Sequence, residues 1–162
     1  LGPKDSLLGL KLGTAAWLHD VVEDTSTTYE QLVELFGREI ADIVLGVTKV
    51  PKDGIMTPLQ RTAATYQRTQ SNPKSRILKV ADRIANVEDG LFLLFTGQPS
   101  IVHKYFEEWA QFRQMLYVPG DADSMWRHLE RLLTDLPYAQ DYILKHRHLF
   151  PEPCEDLISP AS

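Results

Sequence analysis

Cysteine is almost missing from this sequence. Cys154 stands alone among 162 residues, which excludes an internal disulfide and a thiolate metal cluster and points to a reducing compartment. Long apolar runs are missing too. Nothing approaches the roughly 18 to 20 residues of a membrane-spanning helix, and the stretch from Leu1 to Leu18 is broken by Pro3, Lys4, Asp5 and Lys11. No membrane partner is expected, and the chain reads as cytoplasmic. Charge of one sign is not concentrated either: 17 Lys and Arg against 22 Asp and Glu leave a net charge of -5. The basic residues are scattered along the chain, so no nucleic-acid partner is expected. Sustained apolar–polar alternation, the mark of a half-buried strand, is absent as well.

What is present is a hydrophobic content of 43%, ordinary for a globular domain, with apolar residues at helical spacing almost throughout. The expectation is an all-α, single-domain helical bundle over residues 1–149, followed by a Pro-rich flexible tail over residues 150–162. The first helix is predicted from about Ser6 to Val22, ending in Glu23 and Asp24, with the hydroxyls of Thr25 to Thr28 suited to cap the next. Shorter helices follow at Glu30 to Leu35 and, after Gly37, around Ile40, Ile43, Val44 and Val47 to about Lys49. Thr57-Pro58 opens a helix to about Gln70. Asn72-Pro73 then opens one over Lys74 to Glu88 that stops at Gly90. Beyond it come Val102 to Tyr117, Ser124 to Leu133 and Tyr138 to His146. The aromatics Trp109, Phe112 and Trp126 are expected in the core. The chain opens on Leu-Gly-Pro without an initiator methionine and is expected to continue upstream.

Two segments carry chemistry. In Leu18-His-Asp-Val-Val-Glu-Asp-Thr25, helical spacing puts His19 and Glu23 about 40° apart, and Asp20 and Asp24 likewise, so all four share one broad face. Three carboxylates beside one imidazole repel one another unless a positive charge lies among them, and a divalent cation supplies it. Imidazole with carboxylate oxygen suits manganese, iron or zinc alike. Because Ala15-Ala16-Trp17-Leu18 reads as buried, the pair His19-Asp20 is expected at the edge of the core. In the second segment, Lys79-Val-Ala-Asp-Arg-Ile-Ala-Asn86, the residues Lys79, Asp82, Arg83 and Asn86 fall on one face opposite Ile77, Val80, Ile84 and Val87. An anionic ligand, two cations and an amide suit a metal-bound phosphate ester.

These residues resemble the hydrolase domain of the RelA/SpoT homologues, within the HD phosphohydrolase superfamily. The matching motifs are Ala16-Trp-Leu-His-Asp-Val-Val-Glu-Asp-Thr25, Phe36-Gly37, Gly46-Val-Thr-Lys49 and Lys79-Val-Ala-Asp-Arg-Ile-Ala-Asn86, so the likeness covers about Leu7 to Asn86. The resemblance implies an HD-type helical bundle and a metal-dependent enzyme that removes the 3′-pyrophosphate of (p)ppGpp, a small nucleotide. It further implies His19, Asp20 and Asp82 as metal ligands, with manganese the first expectation and iron or zinc also compatible. Glu23 and Asp24 become the pair that positions or deprotonates the attacking water. Asn86 contacts the nucleotide, and Lys49, Lys79 and Arg83 offset phosphate charge.

Two departures accompany the resemblance. The family's further histidine ligand falls before Leu1, and His103, His128, His146 and His148 come too late in the chain to replace it. After Asn86 the family commonly continues with basic and hydroxyl residues, whereas here Val87-Glu88-Asp89 would set two negative charges beside a polyphosphate if they faced it. Rival readings are an HD nucleotidase acting on another nucleotide, a non-catalytic HD domain binding a nucleotide or a protein, and a purely structural helical module.

Overall fold

The computed structural model describes residues 3–135 apart from residues 53 and 99, with side chains from residue 8 onward. The expected helix over Tyr138 to His146, the tail over residues 150–162, Cys154, His146 and His148 lie outside the described residues. Among those described, every regular element is helical, in the order α1 (Pro3–Leu18), α2 (Val21–Asp24), α3 (Tyr29–Phe36), α4 (Arg38–Val47), α5 (Pro58–Gln70), α6 (Pro73–Phe95), α7 (Val102–Leu116) and α8 (Asp123–Glu130), with a π-helical turn at Arg131–Asp135. None of these helices is long and apolar enough to cross a membrane.

Local chemistry explains half of the helix starts. Thr28 accepts from the Gln31 N–H while the Gln31 side chain accepts from the Thr28 N–H, and Thr57 with Gln60 does the same ahead of Pro58. Each is a reciprocal cap that satisfies two otherwise unpaired N–H groups. Asn72 accepts from the Lys74 N–H before Pro73. Gly37, at φ 84°, ends α3 and starts α4 in one residue; that left-handed backbone favours glycine and accounts for the Phe36-Gly37 motif.

The long helix α6 divides the core. On one side Ala15, Leu32, Ala41, Ile43, Val44 and Val47 from α1, α3 and α4 pack with Leu78. On the other, Tyr66 and the α6 residues Val80, Val87 and Leu91 meet Tyr105, Phe106, Phe112, Leu116, Trp126 and Leu129 from α7 and α8. Gly46 lets α4 approach α6 closely: a Cβ at that position would stand 2.2 Å from Ser75 Oγ and 2.7 Å from Ser75 Cβ. Trp109 and Trp126 stack at 6.2 Å, and Phe112 and Trp126 at 5.5 Å, so these aromatics belong to the core as expected.

Three expectations change. The helix α6 does not stop at Gly90 but runs to Phe95; the glycine instead admits Val102 and Ser100, whose Oγ donates to the Gly90 carbonyl at 2.6 Å. The first helix ends at Leu18, and His19 and Asp20 form a turn before the short α2. Trp17 is not buried but 91% exposed, and Ala16 is exposed as well, because Ala15 and Leu18 take the inner face of α1 against α4 and leave the two intervening residues outside.

Candidate active site

The break at His19-Asp20 redistributes the four residues of the first motif. The Asp20 carbonyl accepts from both the Glu23 and Asp24 N–H groups at 2.9 Å, which starts α2 afresh. His19 and Glu23 therefore do not stack along one continuous helix. His19 turns toward α6, where its Nε2 lies 2.9 Å from Asp20 Oδ2 and 3.6 Å from Asp82 Oδ1. Glu23 turns to the end of α4, accepting from the Lys49 N–H at 2.6 Å and from Lys49 Nζ at 2.8 Å. Asp24 is exposed.

The His19 ring is oriented by its own helix. Nδ1 lies 2.8 Å from the Ala16 carbonyl, and a carbonyl only accepts, so Nδ1 carries a proton. Nε2 is then the atom presented to the two carboxylates. A bare lone pair facing two carboxylate oxygens is repulsive unless a proton or a cation lies between them. An imidazole whose other nitrogen donates to a backbone carbonyl is also the usual preparation of a metal-ligating histidine.

The donor set suits a divalent cation in its chemistry, since ligand atoms about 2.1 Å from one ion stand about 3.0 to 3.4 Å from each other. Its arrangement is not closed. Among the described residues no group of three or more His, Cys, Asp or Glu side chains is set to hold a metal ion as it stands. Both oxygens of Asp82 are already engaged: Oδ2 takes Lys79 Nζ at 3.0 Å, and Oδ1 takes Asn86 Nδ2 at 2.6 Å. Asn86, one turn on from Asp82, thus orients that carboxylate.

Beside these carboxylates opens a cleft of about 390 Å³ between α5, α6 and α7. It is lined by Lys49, Lys79 and Arg83, which the sequence singled out, and also by Arg61 and Lys104, which it did not. Lys49 and Lys79 tie the cleft to the motif carboxylates through Glu23 and Asp82. Burial acts to raise the Glu23 carboxyl, but the hydrogen bonds and charge of Lys49 outweigh it and hold its pKa below the ordinary value. The Lys49 ammonium is raised, chiefly by its hydrogen bond to Glu23, with Asp20 and Asp82 adding to the effect.

Arg83 is placed differently from Lys49 and Lys79. It is 6% exposed, and its guanidinium lies between the rings of Tyr105 and Phe112 at 4.5 and 4.4 Å from their centroids. Nη2 donates to Tyr66 Oη and to Glu108 Oε2, each at 3.0 Å. The polar face predicted for α6 is therefore split, with Asp82 and Asn86 toward the motif carboxylates and Arg83 folded into the cleft floor. Of the two acidic residues after Asn86, Glu88 is taken up elsewhere, its Oε1 meeting His128 Nε2 on α8 at 2.8 Å. Arg61 and Lys104 carry no motif, and only their place on the cleft-facing sides of α5 and α7 brings them in.

No family model matches the chain. It is 41% identical over 78 residues to the guanosine-3′,5′-bis(diphosphate) 3′-pyrophosphohydrolase of Aquifex aeolicus, a match covering 46% of this chain and 11% of that protein. It is 37% identical over 76 residues to the Danio rerio pyrophosphohydrolase MESH1, covering 46% of this chain and 41% of that one. A match to a probable GTP pyrophosphokinase of Mycobacterium leprae runs over 136 residues at 38% identity, covering 82% of this chain and 16% of that protein. The chain thus spans a small part of the length of the curated relatives it matches. The crystal structure of lmo0812 from Listeria monocytogenes EGD-e superposes with a TM-score of 0.56 at 22% identity, over 76% of this chain and 85% of that one. That likeness is one of fold. The resemblance read from the motifs holds: the relatives of this chain include (p)ppGpp 3′-pyrophosphohydrolases, and they match it over a partial segment.

Proposed function

We propose that this domain is a divalent-metal-dependent phosphohydrolase of the cytoplasm that releases pyrophosphate from guanosine 3′,5′-bis(diphosphate). The observation that carries this reading is His19 Nε2 turned toward Asp20 and Asp82, next to a cleft lined by five cations. His19, Asp20 and Asp82 would hold the metal, manganese foremost, with Asp82 exchanging its contact to Lys79 for the ion. When bound, such an ion polarises a phosphoryl oxygen and makes water more acidic.

The chain's own residues do the rest. Lys49 and Lys79 stand where a phosphoryl group would face Glu23 and Asp82, and they orient it and offset its charge. Glu23, kept ionised by Lys49, accepts the proton of the attacking water at a carboxylate oxygen, with Asp24 on the same turn. A carboxylate of lowered pKa is a weak base, so it suits a water whose own acidity has been increased. Asn86 keeps Asp82 in register. Arg83 and Glu108 shape the floor of the cleft.

The test is direct. With manganese, the purified protein should release pyrophosphate from guanosine 3′,5′-bis(diphosphate), and chelation should stop it. His19→Ala and Asp82→Asn should each lower the metal bound per chain, read by elemental analysis independently of turnover. Release from other nucleotides alone would replace the alarmone with a nucleotidase substrate. Metal binding without turnover of any nucleotide would leave a binding domain instead.

A further inference from the structure

The turn that carries Lys49 is held from behind by α5. Thr65, Arg68 and Thr69 stand at i, i+3 and i+4 on that helix and so share one face. The Thr69 hydroxyl donates to the Gly46 carbonyl at 2.7 Å, the Thr65 hydroxyl accepts from the Val50 N–H at 3.1 Å, and Arg68 Nη2 donates to the Thr48 carbonyl. Carbonyls at the end of a helix lack partners within it, and α5 supplies partners from outside. The Lys49 N–H turns the other way, to Glu23 Oε1 at 2.6 Å.

The Thr48 carbonyl and the Lys49 N–H belong to one peptide group. That group is planar and trans, so its C=O and N–H point in opposite directions. A guanidinium on the oxygen therefore fixes where the hydrogen points, which is at Glu23. It also polarises the amide and strengthens the N–H as a donor to a carboxylate. The Lys49 ammonium takes the other oxygen, Glu23 Oε2, at 2.8 Å on a flexible stem, and that contact can pass to a phosphoryl group. The peptide contact cannot. Arg68 itself stands outside the cleft, whose α5 wall is made by Pro58, Leu59, Arg61, Thr62, Thr65 and Tyr66.

We infer that Arg68 is a positioning residue for Glu23: through the Thr48–Lys49 peptide it locks Oε1 in place and leaves Oε2 to take the proton of water once the Lys49 ammonium turns to the substrate. The inference rests on the reading of Glu23 as the proton acceptor. Arg68 acts through the peptide and touches neither substrate nor metal.

Hydrogen exchange of single amides is followed by NMR on the full chain without added metal. Arg68→Met keeps an aliphatic stem of similar length and removes the donor. It should speed exchange of the Lys49 amide by about tenfold or more, while the Val50 amide, held by Thr65 one peptide further on, stays within about threefold. Arg68→Lys should restore most of the Lys49 protection, because an ammonium also donates to a carbonyl. Equal acceleration at Lys49 and Val50, or at neither, overturns the inference, since Arg68 would then only pack α5 against the turn. If Arg68→Met does not fold, as judged by helicity and melting, Arg68→Gln takes its place with the same criterion. In pyrophosphate release from guanosine 3′,5′-bis(diphosphate) with manganese, Arg68→Met should lower kcat by about tenfold and leave KM within about twofold. An unchanged kcat in a protein that turns over also overturns the inference. A wild type whose Lys49 amide depends on Arg68 but which releases no pyrophosphate refutes the reaction and keeps the clamp.

Discussion

Lys49 holds Glu23 twice, once through its backbone N–H and once through its ammonium, across 26 residues of sequence. The end of α4 is thereby fastened to α2, and the carboxylate is held ionised at the mouth of the cleft. Replacing Lys49 by Met keeps the backbone donor and removes the charge, leaving burial to dominate. The Glu23 carboxyl should then titrate at higher pH than in the wild type, read by carbon-detected NMR. The change in stability should be small, about 0.5 kcal/mol, because the Lys49 side chain is 63% exposed and solvent screens the pair. An unchanged Glu23 titration would remove Lys49 as the cause of its lowered pKa.

Glu39 joins three helices. Lys11 of α1 and Lys74 of α6 both donate to its carboxylate on α4. Their hydrogen bonds, Lys11 first, lower its pKa from 4.5 to about 2. A folded value below the unfolded one means that the stabilisation is complete above about pH 4.5 and is lost as the pH falls toward 2. Melting temperatures of the wild type and Glu39→Gln, followed downward from neutral pH, should differ at pH 6 and converge through this window. A gap that persists unchanged at pH 2 would contradict the assignment.

Gly46 and Ser75 set the spacing of α4 on α6. The atoms a Cβ would strike include Ser75 Cβ, next to the backbone, so the strain has no flexible side chain to absorb it. Gly46→Ala should cost about 1 to 3 kcal/mol, measured as a shift in the urea midpoint. Gly13→Ala is the control: nothing lies within 4 Å of a Cβ there, and the substitution should be neutral or stabilising by up to about 1 kcal/mol. Equal effects at the two sites would mean that helix propensity, not packing, decides.

Arg83 and Glu108 form an ion pair largely removed from water, with the guanidinium held between two aromatic rings. Deleting the cation leaves the Tyr66 hydroxyl without its Arg83 donor and Glu108 with only the longer contact to Lys104, so Arg83→Ala should destabilise by about 3 kcal/mol. Arg83→Lys should recover little, because an ammonium does not reproduce the flat fork that lies between the rings. Chemical denaturation of both variants checks this, and near-complete rescue by lysine would show that charge alone matters.

The elements that could be read in advance are those whose causes are local. The caps at Thr28, Thr57 and Asn72 need only residues within one turn, and α5 begins and ends where Thr57-Pro58 and Gln70 predict. The site is legible in part for the same reason. His19, Asp20 and Asp82 were singled out by residue type and spacing, and the fold brings His19 to both carboxylates. The helical-wheel argument for Glu23 and Asp24 fails because it assumes a helix unbroken at His19, where the Asp20 carbonyl begins a new one.

By itself, then, the sequence determined the all-helical class, the helix caps and the two motifs, because periodicity, capping and side-chain chemistry act over a few residues. Only the tertiary structure decided that Glu23 answers to Lys49, that Arg83 lies inside while Trp17 lies outside, and that basic residues scattered along the chain meet in one cleft. Those outcomes depend on how α4, α5 and α7 dock on α6, through contacts between residues far apart in the chain, which no local pattern of residues records.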